Sequence, residues 1–279
     1  MKNISHENNI LKINEIKFPI FIISLKNDKH RRKQLLKFLP SKIVNNYFKA
    51  VDMRFANRKK LDKFCNNRRV IKIYKRKLFP GEVGIALSHQ KIYKYIVKKK
   101  IPFALIFEDD VQIEDRNWKS KLYEILKELN NLNFDKKIVC NFGLDNNKIK
   151  KKKILILRWF PKFLKNIHIL NLDNSKQKLA HSYFISFSAA KKILKSNIKI
   201  NCVADDWGIF NKQKCFDYYI ISKKLFDQNK LFKSQIQLNK KINNEDLLNK
   251  NIYFTMKSIL KSILGFIYQW FCFKIIFKK

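Results

Sequence analysis

The sequence predicts an α/β fold in which one domain is built on a mixed, mostly parallel sheet and is followed by an amphipathic helical tail. Two segments, 18–25 and 101–107, are apolar on both faces, as strands buried in a parallel sheet are. Each ends in a polar turn, and a segment with helical periodicity follows. The 279 residues, 46% of them hydrophobic, suit one large domain with a sizeable core.

Further helices and strands are predicted from the same periodicities. Residues 54–77 carry a weaker helical pattern, and 154–157 are read as a short strand. The almost purely basic run 148–153 is expected to be a solvated loop or a lid. The clearer patterns predict helices over 29–39, 84–98, 118–132 and 189–195, and strands over 44–51, 182–186 and 216–222.

The composition divides the chain into three parts. Residues 1–17 form a polar N-terminal extension, 18–230 the α/β domain, and 231–279 a basic C-terminal region. Within that region, 253–279 is apolar and aromatic, yet its uncharged run is far shorter than the roughly 20 residues that span a bilayer. We expect this segment to lie in the membrane interface, with Trp270 at headgroup depth. A helix packed on the core is the alternative.

The net charge is extreme, with 61 Lys and Arg against 22 Asp and Glu, or +39. Such a surface attracts polyanions, namely nucleic acid, anionic lipid or phosphorylated glycan. A nucleic-acid-binding module or a face of interleaved basic and aromatic residues is not recognisable in the sequence. We therefore expect an anionic membrane surface as a partner and no specific nucleic acid, with a general polyanion-binding protein as the rival interpretation.

Cysteine usage and the N-terminal sequence bear on the compartment. The five cysteines include no Cys-x-x-Cys pair, and no signal peptide precedes the first strand. These features favour a reduced cytoplasmic protein without disulfides or a zinc site. Together with the charge, they predict peripheral attachment to the cytoplasmic face of the inner membrane.

Three acids, Glu108-Asp109-Asp110, directly follow the second buried strand. Ligands of open α/β sheets lie beyond the carboxyl ends of strands, and adjacent carboxylates need a compensating cation. Hard carboxylate oxygens suit Mn²⁺ or Mg²⁺, which usually bridge to substrate phosphates. Strand alternation would place Glu108 and Asp110 on one side and Asp109 on the other. A solvated acidic turn is the alternative.

Two other clusters of charged residues are candidates for chemistry. Asp205 and Asp206 could reach the same pocket, where either carboxylate could act as a general base. Trp207 follows them and could stack on a ligand ring, although a helix cap with a core tryptophan is the alternative. Arg31 and Arg32 follow the first strand, and guanidinium groups bind diphosphates well.

A block with two glycines occupies residues 80–89. Gly81 allows close backbone approach to a ligand, and Glu82 follows it. His89 ends the block, and His181 precedes the strand predicted over 182–186. Either histidine could bind a ligand, although a lone histidine is more often structural.

Taken in order, these blocks resemble glycosyltransferase family 25, which includes bacterial lipooligosaccharide β-galactosyltransferases and relatives of the collagen galactosyltransferases. The resemblance covers roughly residues 18–230, and its most specific part is the Gly-Glu-x-Gly…Ser-His block followed by Glu-Asp-Asp. The matching stretches are Ile22-Ile23-Ser24-Leu25 with Arg31-Arg32, Phe48-Lys49-Ala50-Val51-Asp52, Leu78-Phe79-Pro80-Gly81-Glu82-Val83-Gly84 with Leu87-Ser88-His89, Ala104-Leu105-Ile106-Phe107-Glu108-Asp109-Asp110-Val111, Ser182-Tyr183-Phe184-Ile185-Ser186 with Ala189-Ala190-Lys191, and Asp205-Asp206-Trp207.

This resemblance implies a GT-A-like domain that binds a nucleotide sugar. It implies transfer of a sugar from a UDP-sugar to a lipooligosaccharide-type glycolipid, with inversion and with Mn²⁺ or Mg²⁺. Galactose is the implied sugar. A donor that carries glucose or an N-acetylhexosamine would change the sugar but not the class of enzyme. A transferase-like scaffold without activity is the alternative. The implied roles are catalysis for Asp205 or Asp206, metal binding for Glu108 and Asp110, acceptor binding for Trp207 and His181, and donor binding for Ser24, Leu25, Arg31, Arg32, Gly81, Glu82, His89, Glu108 and Asp109.

The chain departs from the family pattern at two places. The family usually has Asp-Gly after the Ala-Val or Ala-Ile step, whereas Asp52 is followed here by Met53. The segment before Ser182 usually carries Gly-Thr and an Ala or Gly, whereas this chain has Leu179-Ala180-His181. Both departures bear on the shape of the donor pocket and hence on the sugar it accepts.

Overall fold

The computed structural model describes residues 9–113, 115–131, 136–143, 167–169, 179–221, 225–229 and 231–232. These residues lie in one compact unit that ends at Phe232. Its strands are β1 Ile10–Ile13, β2 Ile16–Ser24, β3 Phe48–Lys49, β4 Phe103–Glu108, β5 Val111–Gln112, β6 Ile138–Asn141, β7 Ile167–Ile169, β8 Ser182–Ser186, β9 Asp217–Ile221 and β10 Asp227–Gln228.

Eight of these strands form one mixed sheet in the order β1-β2-β4-β8-β6-β9-β7, with β3 also paired to β2. Strands β2, β3, β4, β6 and β9 point one way, and β1, β7 and β8 point the other. The predicted mixed sheet is confirmed. Five of the eight strands run in the same direction, as expected for a mostly parallel sheet. Only three of the seven described pairs of neighbouring strands are parallel, so the prediction is wrong for the pairing. The main cause is β8, which runs antiparallel between β4 and β6.

Helices cover both faces of the sheet. Ile20 and Ile22 pack with the buried residues of α6 on one face, whereas Phe21 and Ile23 pack with those of α5 and α7 on the other. Burial on both faces explains why β2 and β4 are continuous apolar runs. The helices are α1 Lys29–Leu35, α2 Ser41–Asn45, α3 Arg58–Phe64, α4 Asn67–Tyr74, α5 Pro80–Lys98, α6 Trp118–Asn131, α7 Phe187–Ser196 and α8 Trp207–Lys212.

Most of the predicted strands and helices are present, with shifted ends. The strand predicted over 44–51 is wrong, because Val44 belongs to α2 and only Phe48–Lys49 is extended. Pro40 precedes α2, and a residue with its fixed φ is well suited to the start of a helix.

One edge strand was missed by the sequence analysis. Residues 10–13, placed in the polar extension, form β1, in which Leu11 and Ile13 are buried and the intervening side chains are exposed. Four residues are too few to distinguish a half-buried strand from a polar loop by alternation alone.

The predictions for 148–153, 154–157 and 253–279 lie outside the described residues. Among the helices that the structure describes, none combines the length and the apolar character needed to cross a membrane.

Candidate functional site

The acidic turn lies at the carboxyl end of β4, between the ends of two neighbouring strands. The backbone N–H of Glu108 donates to the carbonyl of His181, which precedes β8, at 2.8 Å. The N–H of Asp109 donates to the carbonyl of Ile23 in β2 at 3.1 Å. The turn is therefore fixed by the central strands of the sheet, at the edge where ligands of such folds bind.

Arg31 bridges the two aspartates of this turn. Its Nε lies 2.7 Å from Oδ1 of Asp109, and one terminal nitrogen lies 2.9 Å from Oδ2 of Asp110. The strand ends at Glu108, so alternation does not extend through the turn. The guanidinium therefore joins Asp109 to Asp110, while the charge of Glu108 also acts on Asp110.

Asp110 is the most constrained of the three acids. Gln228 donates to its Oδ2 at 2.8 Å, and the N–H of Asn229 donates to its carbonyl at 2.7 Å. Its Oδ1 is buried and has no hydrogen-bond partner among the described residues. Burial, reinforced by the charge of Glu108, raises the pKa of Asp110. A buried acceptor without a partner is costly, so Oδ1 marks a place for a ligand.

The other two carboxyl groups differ in their electrostatics. Burial raises the pKa of Asp109 to about 7, because the opposing charge of Arg31 does not fully compensate for the lost hydration. Burial also acts to raise the pKa of Glu108, but the hydrogen bond and charge of His89, with the charges of His181 and Arg31, hold it below its ordinary value. Glu108 is therefore the acid of this turn best suited to remain ionised.

A buried chain of hydrogen bonds ends at Glu108. Nε2 of His89 lies 3.4 Å from Oε1 of Glu108, and Nδ1 of His89 lies 2.6 Å from the Tyr183 hydroxyl. That hydroxyl is 2.7 Å from the hydroxyl of Tyr93. Burial raises the pKa of Tyr183, which keeps its proton on. Both ring nitrogens of His89 are therefore engaged, one by Tyr183 and one by Glu108, which fixes the ring beside the carboxylate.

His181 is a further buried polar side chain of the site. Only 2% of the residue is exposed, and neither ring nitrogen meets full hydrogen-bond geometry with a described residue, although the backbone of Phe226 acts on the ring and raises its pKa. Its ring packs against Gly143, where an added Cβ would come within 2.2 Å of it. Burial lowers the pKa of His181, against the charges of Glu108 and Asp110, so its neutral form is favoured. A neutral imidazole beside two acids could bind a metal ion or contact the nucleotide sugar.

The donor atoms of this site fit a divalent ion held jointly with a substrate. Within the described ranges, no three His, Cys, Asp or Glu side chains form a ready-made metal-binding group. Mg²⁺ and similar ions, however, usually bind through one or two carboxylates together with substrate phosphates. The unpartnered Oδ1 of Asp110 and the ionised Glu108 are suitable hard ligands, and His181 is a neighbouring nitrogen donor.

Arg32 lies beside Arg31 but has a different role from the one predicted. Its guanidinium donates to Oγ of Ser24 at 2.6 Å, and to the carbonyls of Leu25 at 2.5 Å and Lys26 at 3.1 Å. It also stacks on the ring of Tyr47. These contacts turn Arg32 inward, where it holds the end of β2, so its predicted contact with the donor is not supported by its position.

The glycine block at the start of α5, residues 80–89, packs against the segment that follows β3. An added Cβ on Gly84 would lie 2.6 Å from the carbonyl oxygen of Val51, so only glycine allows this approach. Oγ of Ser88 accepts the Val51 N–H at 2.8 Å. Glu82 pairs with Arg76 at 2.8 Å and caps the N-terminus of α5. Glu82 therefore has a structural role here in place of the predicted donor contact.

Trp207 is also placed differently from the prediction. It is fully buried, and its indole N–H donates to the carbonyl of Leu179 at 3.1 Å. Its ring packs edge-on against Tyr183 and Phe216, with centroid distances of 5.0 and 5.9 Å. The predicted stacking on an acceptor is therefore wrong, because no face of the indole is open to a ligand.

The carboxylates of Asp205 and Asp206 lie in the turn before α8. Oδ2 of Asp205 accepts the N–H of Leu179 at 3.3 Å, and Oδ2 of Asp206 accepts the hydroxyl of Tyr74 at 2.8 Å. Both residues are partly exposed. Because Leu179 lies two residues before His181, the Asp205 turn adjoins the segment that borders the acidic site.

Leu179 itself has an unusual backbone, with a φ of 102°. Its N–H bonds to Asp205, and its carbonyl accepts from Trp207 and, at 2.6 Å, from Asn141. Such a φ is unfavourable for a leucine by about 1–3 kcal/mol and is maintained only by surrounding contacts. The strain lies at one of the two places where the chain departs from the family pattern.

We expect Leu179→Gly to be more stable than Leu179→Ala by about 1 kcal/mol, because glycine relieves the positive φ and alanine does not. Urea denaturation of both variants measures the difference. Leu194, a partly buried residue of α7, provides the control, since there glycine should be the less stable by about 1 kcal/mol. If the alanine variant is the more stable one at both positions, the backbone of Leu179 is not strained.

Several residues of the site were not predicted from the sequence. Gln228 and Asn229 reach Asp110 from 118 and 119 positions further along the chain, on a strand that pairs with β5. They also line a cavity of about 610 Å³ beside this hairpin. Tyr183 and Asn141 lie in the apolar strands β8 and β6. A polar group within an apolar run needs a hydrogen-bond partner, and this could have drawn attention to both residues.

Comparison with known proteins finds a matching family and distant relatives. Residues 17–208 match the family described as "Glycosyltransferase family 25 (LPS biosynthesis protein)". Human procollagen galactosyltransferase 2 is 27% identical over 185 residues, which is 64% of this chain and 27% of the human protein. A bovine protein named "Probable inactive glycosyltransferase 25 family member 3" is 26% identical over 183 residues, or 63% of this chain and 28% of its own length. The chain thus matches little more than a quarter of these relatives.

Proposed function

Since the chain belongs to glycosyltransferase family 25, we propose that it transfers galactose from a UDP-sugar to a glycan of the lipopolysaccharide type. The sugar follows the name of the human relative, a galactosyltransferase, and the acceptor follows the description of the family as a lipopolysaccharide biosynthesis protein. The observation that carries the proposal is the buried Asp110 at the carboxyl end of β4, whose Oδ1 has no hydrogen-bond partner in the part of the chain that the structure describes. A GT-A-like arrangement would place the donor diphosphate at this edge of the sheet.

Asp110 and Glu108 are the residues that would hold Mn²⁺ or Mg²⁺. A bound divalent ion would neutralise the charge that develops on the diphosphate as the bond to the sugar breaks. Arg31 supplies a second positive charge beside the same site. His89 orients Glu108 through the hydrogen bond at Nε2, while Tyr183 fixes the other ring nitrogen.

Inversion requires a base that takes the proton of the acceptor hydroxyl as it attacks. Asp205 and Asp206 are the candidates, because both are partly exposed carboxylates in the turn that contacts the segment next to His181. Each has one oxygen engaged by Leu179 or Tyr74, which orients the group. Ser24 and Leu25, at the end of β2, are proposed to border the nucleotide.

The direct test measures UDP release from a panel of UDP-sugars, with Mn²⁺ or with a chelator, in the presence of a truncated lipopolysaccharide acceptor. We expect turnover with UDP-galactose that depends on the metal. Turnover of UDP-glucose or a UDP-N-acetylhexosamine instead would retain the enzyme class and correct the sugar. Absence of both turnover and UDP binding would overturn the proposal and favour a polyanion-binding role.

A catalytically inactive scaffold is the second candidate, because one of the matched relatives carries the word inactive in its name. This alternative predicts UDP binding without turnover of any donor in the panel. The presence of all three acids of the turn and of the unpartnered Asp110 oxygen supports the active enzyme.

We also propose that the chain works at an anionic membrane surface, which its +39 charge supports. Deleting residues 253–279 should weaken sedimentation with vesicles of anionic lipid by about tenfold or more at low salt, given roughly 1 kcal/mol per basic residue near the surface. Neutral vesicles and high salt are the controls. Equal binding of the truncated protein would show that the tail is not the membrane contact.

A further inference from the structure

Arg31 and its neighbour Arg32 are held in contrasting ways. Arg32 makes three hydrogen bonds to the end of β2 and lies over Tyr47. Arg31 lies within ion-pair distance of two carboxylates, yet its buried Nε lacks a partner that meets hydrogen-bond geometry. Arg32 is thus fixed by directional bonds, whereas Arg31 is held chiefly by charge.

The surroundings of Arg31 also allow it to move. Its side chain remains 11% exposed, and the group over it is the ring of Phe232, 5.2 Å from the guanidinium carbon. Phe232 lies outside the described helices and strands, so the contact is with a side chain of an irregular segment. A modest rotation of the Arg31 side chain would break the ion pairs without disturbing the sheet.

Of the two carboxylates that Arg31 covers, Asp110 is the one that the proposed function assigns to the metal. Arg31 approaches Oδ2 of Asp110 at 2.9 Å, one carboxylate oxygen away from the unpartnered Oδ1. A guanidinium and a divalent ion on one carboxylate repel each other, so each lowers the affinity of the other. A diphosphate, in contrast, can accept two parallel hydrogen bonds from the planar guanidinium of Arg31, a better geometric match than two separate aspartates.

We propose that Arg31 is a displaceable cation, which neutralises Asp109 and Asp110 before the donor binds and moves onto the donor diphosphate afterwards. Its departure leaves Asp110 open to the divalent ion, so donor and metal binding are coupled through one side chain. This inference rests on the proposed function, in that it takes the acidic turn as the donor site. It makes Arg31 a positioning residue for the metal as well as a donor contact.

The inference predicts effects of opposite sign in one variant. Arg31→Gln removes the competing charge, so Mn²⁺ alone should bind about tenfold more tightly than to the wild type. UDP should bind about tenfold more weakly, because a charge-assisted contact is lost. A purely structural ion pair also predicts a gain in Mn²⁺ affinity but no loss of UDP affinity, so the two effects together identify a displaceable cation.

The experiment titrates the full chain with Mn²⁺ alone and with UDP alone, by isothermal calorimetry. Arg58→Gln is the matched control, since Arg58 is a 39% exposed arginine paired with Asp62 away from the acidic turn. It should change neither affinity. Weaker or unchanged Mn²⁺ binding by a folded Arg31→Gln variant would overturn the inference.

A second variant keeps the test decisive if Arg31→Gln does not fold. Arg31→Lys retains the positive charge but lacks the paired N–H donors of the guanidinium. Mn²⁺ affinity should therefore remain within about threefold of the wild type, while UDP affinity falls. Wild-type UDP affinity in Arg31→Lys would overturn the inference. Failure of the wild-type chain to bind UDP would instead overturn the proposed function, which makes the two failures distinguishable.

Discussion

Asp110→Asn is expected to lower metal-dependent turnover of the UDP-sugar about a thousandfold, because it removes the charge from the proposed metal ligand while preserving the shape of the side chain. The amide can still contact Gln228. Burial already raises the pKa of Asp110, so the neutral amide should not destabilise the fold. Initial rates of UDP release and a thermal melt of the same preparation measure both quantities.

The matched control for this variant is Asp62→Asn. Asp62 is partly exposed and pairs with Lys77 and Arg58 at 3.0 Å on the surface. Its substitution should leave turnover within a factor of two, since exposed ion pairs contribute little. Turnover by Asp110→Asn within tenfold of the wild type would show that Asp110 does not hold the metal.

Substitution of the base is expected to have the next largest effect. One of the two variants Asp205→Asn and Asp206→Asn should lower kcat by about 10²- to 10⁴-fold, because proton removal from the acceptor loses its base. UDP and Mn²⁺ binding should be unchanged in that variant, since neither carboxylate belongs to the acidic turn. Steady-state kinetics at saturating donor and acceptor separate the loss in kcat from a change in KM.

Tyr74→Phe is the control for Asp206, because it removes only the hydroxyl that donates to that carboxylate. It should change kcat far less than the loss of the base does. If both asparagine variants keep wild-type kcat, the base lies elsewhere, and the inverting mechanism proposed for Asp205 or Asp206 is wrong.

The fold and the acidic turn could be predicted because they depend on contiguous sequence. The apolar run of β4 predicts a buried strand, and the acids that follow it can only lie at its carboxyl end. The edge strand β1 and the antiparallel placement of β8 depend on pairing between distant segments, which periodicity does not report.

The individual roles within the site were harder to predict for the same reason. Arg31 and Arg32 are adjacent residues of the same type, yet one faces the carboxylates and the other holds the end of β2. For Trp207 the sequence left open stacking on a ligand and a place in the core, and the core alternative is confirmed, with the indole N–H donating to the carbonyl of Leu179. Such assignments depend on which donors and acceptors meet in the folded chain.

The contribution of Gln228 could not have been inferred from its surroundings in the sequence. Its neighbours are polar, and only the pairing of β10 with β5 brings its amide to Asp110. The strongest indication of the site is therefore Oδ1 of Asp110, a buried atom that has no hydrogen-bond partner among the described residues. This is a property of the folded structure and not of a motif.

The central claim is that Asp110 and its neighbours form the donor site, and diffraction from crystals grown with UDP and Mn²⁺ tests it most directly. We predict an anomalous manganese peak at coordinating distance from Oδ1 of Asp110, with Arg31 turned from the aspartates to the diphosphate. A structure in which UDP and Mn²⁺ lie elsewhere, while Arg31 still bridges Asp109 and Asp110, would contradict the account.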